Sequence, residues 1–255
     1  MGRVSLENIH KPNDETNGRN PLQVQHMIAA SFYFMYLLDL ARKRADDLLL
    51  NILPKPIAKR LKERPGTIAD GYEDVTILFA DIVDSTRICA DADPVDVVNM
   101  LNSVFSDLDD LVEEYKLEKI KTIGDGYMVA SGLPDPCTDH CQVIAAFAFD
   151  MLDVVTGHTT WKGEPIRLRI GMNTGPVVAG VLGRHKFIYD LWGDVVNTAS
   201  RMESHGLVDR IQVTKAVRDR LGNLYEFEER GPIPIKGKGE MVTFLMRKPV
   251  SPENI

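Results

Sequence analysis

Two carboxylates far apart in the chain stand where carboxylates can do chemistry. Asp81 lies near the end of the apolar, β-branched run Val75–Ile82, and Asp125 sits between two glycines in Gly124-Asp125-Gly126. Carboxylate oxygens, together with substrate phosphates, are what hard divalent cations such as Mg2+ take as ligands. A pair of such cations serves phosphoryl transfer by activating an attacking oxygen and stabilising a leaving one. The segment after Asp81, Ile82-Val83-Asp84-Ser85-Thr86, runs towards a helix, and its backbone N–H groups suit phosphate oxygens. Further on, Asn197 and Arg201 are four apart, which on a helix gives them one face. A guanidinium fork matches charge spread over phosphate oxygens. Read singly, Asp81 is a strand-end cap, Asp125 a turn residue and Arg201 a surface helix charge. What decides between the readings is whether the fold brings these residues together.

The elements that must position them alternate in period. Val75–Ile82 reads as a buried strand. Asp93-Pro94 opens a helix, with proline just inside its start, whose apolar face runs through Leu101, Val104, Phe105, Leu108, Leu111, Val112 and Tyr115. Ile120–Ile123 and Tyr127–Ala130 read as strands joined by the Gly-Asp-Gly hairpin. A second helix is expected over residues 138–155 and a fourth strand over Ile166–Met172. The order β-α-β-β-α-β is an α+β, ferredoxin-like split pattern. A strand over Val177–Val181, a helix over Asp194–Ser204 and a smaller C-terminal αβ extension follow. In this topology the first two strands run the same way with the third between them. The end of strand one and the hairpin between strands two and three therefore share an edge, and Asp81 and Asp125 converge there.

Composition narrows the setting. A chain of 255 residues suits one sizeable domain with an appendage. The formal net charge of −7 argues against nucleic acid as a partner, because phosphate backbones require a basic face. Three cysteines, Cys89, Cys137 and Cys141, are too few and odd in number for a disulfide framework and point to a reducing compartment. Cys137-Thr-Asp-His140-Cys141 invites a zinc reading, but no second ligand pair follows at finger-like spacing, and structural thiols are the better expectation.

Before residue 70 the pattern changes. Residues 1–22 are polar and aperiodic and read as a disordered leader. Residues 23–69 form a helical linker, dimerisation or signal-transducing segment, and residues 70–255 the catalytic domain. Met27–Leu40 is the most apolar stretch, yet it is shorter than the roughly 20 residues of a membrane span, and Asp39 interrupts it. With Arg42, Lys43 and Arg44 directly after it, it suits the cytoplasmic end of a membrane anchor and equally an amphipathic dimerisation helix. The helical pattern continues to Leu53 and breaks at Pro54 and Pro56.

Three segments carry a resemblance: Phe79-Ala-Asp81-Ile-Val-Asp-Ser-Thr86, Lys119-Ile-Lys121-Thr-Ile-Gly-Asp125-Gly-Tyr127, and Tyr189-Asp190-Leu-Trp-Gly-Asp-Val-Val-Asn197-Thr-Ala-Ser-Arg201. In this order they resemble the catalytic domains of class III adenylyl cyclases, most of all the bacterial, actinobacterial type with mammalian-like domains. The likeness runs from about Leu48 to Arg247. It implies conversion of ATP to 3′,5′-cyclic AMP and pyrophosphate for second-messenger signalling, with two divalent metal ions (Mg2+ or Mn2+) held by Asp81, Asp125 and the Ile82 carbonyl. By the same resemblance Lys121 and Asp190 contact adenine, Asn197 orients the ribose, Arg201 stabilises charge at the α-phosphate, and Thr86 belongs to the phosphate loop. Lys238, in Ile235-Lys-Gly-Lys-Gly-Glu240, reaches the terminal phosphates, with Lys236 as the nearby alternative. The proton of the 3′-hydroxyl goes to Asp81 or to solvent. Adenine chemistry agrees with the implied pair: a carboxylate accepts from the N6 amino group and an ammonium donates to N1, whereas guanine reverses both. Guanylyl cyclases of the family typically carry Glu and Cys at these positions.

The resemblance also implies a head-to-tail homodimer, with the metal aspartates of one subunit facing the adenine pair, Asn and Arg of the other. The catalytic domain is then expected in the cytoplasm at the inner face of the membrane. One departure stands out: Asp84 and Ser85 occupy positions where many relatives carry Gly and Phe.

Overall fold

Strand β1 (Ile68–Ile82) is the element on which the rest is assembled. The computed structural model describes residues 21–64, 66–90, 92–183 and 186–248, so residues 1–20 of the leader lie outside the described residues. The chain divides into two units at Leu49/Leu50.

In the first unit the described residues form helix α1 (Pro21–Leu50). Its apolar side chains from Leu22 to Leu38 are largely exposed, and Asp39 and Lys43 make an i,i+4 ion pair of 2.9 Å. Among the described residues no helix is long and apolar enough to cross a membrane. The helix stops at Leu50, three residues short of the expected Leu53, because Pro54 cannot continue it.

The second unit opens with α2 (Lys55–Glu63), started by Pro56 in its first turn. After β1 come α3 (Ser85–Ala90), α4 (Pro94–Glu114), β2 (Glu118–Ile123), β3 (Gly126–Ser131), α5 (His140–Val155), β4 (Leu168–Leu182), β5 (Ile188–Trp192), α6 (Asp194–Ser204), β6 (Ile211–Thr214), α7 (Lys215–Leu221), β7 (Glu226–Ile235) and β8 (Gly239–Arg247). The sheet order is β2-β3-β1-β4-β6-β8-β7, with β5 paired to β4. Its β2-β3-β1-β4 half is antiparallel throughout, which is the ferredoxin-like arrangement, and the C-terminal elements extend the same sheet. Asp93 caps α4 by accepting from the Val95 N–H at 2.9 Å. Helices α4 and α5 bury Val104, Leu108, Ile144, Phe147 and Met151 against Leu78, Ile82 and Ile170 of the sheet. Removing a side chain the size of Phe147 there would cost about 3–5 kcal/mol.

The strands expected over Ile166–Met172 and Val177–Val181 are not separate: Leu168–Met172 and Val177–Val181 belong to one 15-residue strand, β4. Pro176 removes a ladder N–H, which favours reading a break. Opposite it, however, β1 bulges between Tyr72 and Val75, and the pairing resumes at Tyr72↔Val177. Strand β5 was not anticipated at all; it pairs with the second half of β4, from Val178↔Trp192 to Leu182↔Ile188.

Candidate active site

The topology does bring Asp81 and Asp125 together. Asp81 pairs across the β1–β3 ladder with Gly126, and Asp125 is the residue before it in the hairpin. Burial pushes the Asp81 carboxyl up to about 7, with the nearby Asp125 and Glu203 carboxylates adding to the rise. Two carboxylates this close repel each other unless a cation or a proton lies with them. The chain's own cation there is Arg169, opposite Asp81 in the β1–β4 ladder. Its Nη2 donates to Asp81 Oδ2 at 2.7 Å and its Nε to Glu203 Oε1 at 3.1 Å. Arg169 and Glu203 were not among the candidates from sequence. The available signal was two arginines, Arg167 and Arg169, alternating with Ile166, Leu168 and Ile170. All-oxygen donors facing one another are the set a hard divalent cation prefers, so Asp81 and Asp125 fit the metal role the resemblance implies.

Glu203 reaches this site because α6 lies directly on β4. A Cβ on Gly171 would come within 1.9 Å of the Glu203 nitrogen and 2.4 Å of the Met202 carbonyl carbon, so only glycine permits the approach. The buried face of α6 carries Val195, Thr198, Ala199 and Met202. Asp194, Asn197 and Arg201 follow at intervals of three and four and form one stripe. Residues two apart on a helix point about 200° apart. With Glu203 turned towards its own chain's Asp81, the Arg201 stripe faces away from that chain's carboxylates.

Lys121 and Asp190 meet in a second group: Lys121 Nζ lies 2.5 Å from Asp190 Oδ2. A β-bulge makes this contact. Lys119 pairs with Val129 and Lys121 with the next residue, Met128, so Ile120 is the extra residue. In a regular strand Lys119 and Lys121 would share a face. The bulge puts them on opposite faces: Lys119 goes to Asp109 at 2.5 Å and Lys121 to Asp190. On β5, Asp190 lies opposite Gly180, with the pairs Val178↔Trp192 and Leu182↔Ile188 on either side of it on the same face. Those four apolar side chains are 37 to 56 % exposed, whereas the Asp190 side chain is 16 % exposed. A polar pair is thus set in an open apolar face.

The remaining candidates are more peripheral. Thr86 is exposed in α3, and Asp84 begins that turn in a left-handed conformation (φ 57°), its carbonyl accepting from the Ile88 N–H. Its carboxylate is 3.8 Å from Arg87, so it has a cation of its own. Lys238 pairs with Asp194. The Cys137–Cys141 segment divides its side chains: the Cys137 thiol donates to Asp139 at 2.8 Å, His140 lies between Thr76 and Arg220, and burial raises the Cys141 thiol to about 11. Among the described residues no group of three His, Cys, Asp or Glu side chains is arranged to hold a metal. Cavities of about 770 and 450 Å3 open elsewhere on the domain, and neither is lined by Asp81, Asp125, Asp190 or Arg201.

Residues 68–248 match the family described as adenylate and guanylate cyclase catalytic domain. The chain is similar to an adenylate cyclase of Mycobacterium tuberculosis, 48% identical over 204 residues, covering 80% of this chain and 46% of that protein. It is also similar to guanylate cyclase soluble subunit beta-2 of Rattus norvegicus, 43% identical over 211 residues, covering 82% of this chain and 31% of that one. The chain thus spans less than half the length of these curated relatives. Among solved structures, the guanylate cyclase domain of RhGC from Catenaria anguillulae in complex with GTP superposes with a TM-score of 0.69 at 34% identity, covering 71% of this chain and all of that one.

Proposed function

The chain belongs to the adenylate and guanylate cyclase catalytic domain family, and on that premise we propose that it is an adenylyl cyclase, forming 3′,5′-cyclic AMP and pyrophosphate from ATP at a homodimer interface. The observation that carries the choice of nucleotide is the Lys121–Asp190 pair. Its ammonium and carboxylate match adenine N1 and the N6 amino group. Guanine would set acceptor against acceptor and donor against donor, at about 1–3 kcal/mol for each buried mismatch.

In the reaction the ribose 3′-oxygen bonds to the α-phosphorus, the bond from that phosphorus to the bridging oxygen breaks, and pyrophosphate leaves. Asp81 and Asp125, with the Ile82 carbonyl, would hold two divalent cations, Mg2+ or Mn2+, which when bound supply charge neutralisation and activation of the 3′-hydroxyl. Asn197 orients the ribose. Arg201 offers its fork to the charge that grows at the α-phosphate, and Lys238 and the segment from Ile82 to Thr86 hold the phosphates. Catalysis on this scheme is mostly positioning and electrostatic stabilisation.

The helix geometry supports a two-chain site. The Asn197–Arg201 stripe faces away from the carboxylates of its own chain, so a head-to-tail partner supplies the opposite half. The exposed face of Val178, Leu182, Ile188 and Trp192 around Asp190 is the surface such a partner would cover, and α1 offers a helix for pairing outside the catalytic domain. A second reading, a guanylyl cyclase, is favoured by the 43% identity to the rat subunit. Replacing Lys121→Glu and Asp190→Cys together tests between them. Loss of ATP turnover in the variant supports the adenine reading, and an unchanged nucleotide preference refutes it.

A further inference from the structure

The stripe on α6 begins with a residue that the reaction scheme leaves without a task. Asp194 stands three residues before Asn197 and seven before Arg201, in the first turn of the helix. Its carboxylate accepts from the ammonium of Lys238, 44 residues further along the chain in the turn between β7 and β8. That turn is closed by the Lys238 N–H donating to the Ile235 carbonyl at 2.9 Å. On either side of Lys238, Gly237 and Gly239 are left-handed at φ 82° and 73°, and a Cβ on either would meet nothing within 4 Å. The turn has little packing of its own at these points. The side chain at its tip is located by the ion pair.

We propose that Asp194 is a positioning residue: it holds Lys238 beside the Asn197–Arg201 stripe, so that the ammonium is already aimed where the terminal phosphates of a nucleoside triphosphate bind. The inference rests on the phosphate-binding reading of Lys238 given above. A lysine ammonium has three N–H donors, so one bond to Asp194 leaves two for phosphate oxygens. Without Asp194, the four-carbon stem and the two flanking glycines spread the ammonium over many positions, and the ordering cost falls on nucleotide binding. An exposed ion pair is worth only a small factor in an equilibrium, so a polyanionic phosphate does not lose Lys238 to Asp194. The pair orders the lysine without sequestering it.

Pyrophosphate isolates this effect, because it carries the phosphate groups without base or sugar. Its binding to the full chain would be measured by calorimetry and as competitive inhibition with ATP and Mn2+, for the parent, Asp194→Asn, Asp194→Glu, Lys238→Met and the Asp194→Asn/Lys238→Met double variant. The expected result for Asp194→Asn is weaker pyrophosphate binding and a higher KM for ATP by the same factor, about three- to fivefold, with kcat unchanged. Asp194→Glu restores both, and Asp194→Asn adds nothing once Lys238 is methionine. Unaltered pyrophosphate binding in Asp194→Asn, beside a loss in Lys238→Met, overturns the inference alone. Equal Asp194→Asn effects with and without Lys238 overturn it too, since Asp194 would then act elsewhere. A Lys238→Met variant that binds pyrophosphate like the parent removes the phosphate reading of Lys238, and this inference with it.

Discussion

Lys121 and Asp190, 69 residues apart in sequence, form a 2.5 Å ion pair that exists only because Ile120 is bulged out of β2. The bulge turns Lys121 to the face opposite Lys119, and β5 carries Asp190 to meet it. Lys121→Met removes the ammonium from that face and leaves the bulge in place. The variant is expected to lose ATP turnover while keeping its helix and sheet content by circular dichroism. Retained turnover would mean that the pair does not read the base.

Asp81 and Arg201 of one chain serve different sites if the two-chain arrangement holds. Asp125→Ala and Arg201→Ala homodimers should each be inactive. After mixing and re-equilibration, half of the dimers are heterodimers, and each of these has one intact site. Activity should return to about a quarter of the parent value. No recovery from a verified heterodimer would place both residues in the same site.

Gly171 sits under α6 with no room for a methyl group. Gly171→Ala should push the helix off β4, carrying Glu203 away from Arg169 and shifting Asn197 and Arg201. The expected cost is about 1–3 kcal/mol in stability and, for a displacement near 1 Å, about a hundredfold in kcat. Thermal denaturation and steady-state kinetics check both, and a variant matching the parent in both would contradict the packing described.

Glu118, on β2 three residues before Lys121, has its carboxyl pushed up to about 7 by burial, with Asp135 adding to the rise. An acid whose folded pKa is raised binds its proton more tightly in the folded state, so stability is present at low pH and is lost as pH rises from about 4.5 to about 7. Glu118→Gln should remove that slope and stabilise the protein at pH 8 by about 1 kcal/mol or more, measured by urea denaturation at pH 5 and pH 8. A variant with the parent's pH dependence would contradict the assignment of the slope to Glu118.

The β-α-β-β-α-β core was legible because its signals are local. Val75–Ile82 has strand composition, Asp93-Pro94 is a helix start, and Gly124-Asp125-Gly126 is a hairpin. The convergence of Asp81 and Asp125 followed from topology alone. What escaped depends on long-range packing. Arg169 looks like any strand arginine until β1 sets Asp81 opposite it. Glu203 reads as a helix-end charge until Gly171 lets α6 descend onto β4. The continuity of β4 through Pro176 needs the bulge in β1, and β5 gains its pairing only from the second half of β4.

The most direct measurement is product analysis by chromatography after incubating the purified protein with ATP or GTP in Mg2+ and then Mn2+, beside an Asp125→Ala variant. The expected result is cyclic AMP from ATP, little cyclic GMP from GTP, and neither product from Asp125→Ala. Cyclic GMP as the main product would contradict the base reading at Lys121 and Asp190. The absence of any cyclic product from a verified dimer in either metal would contradict the catalytic account as a whole.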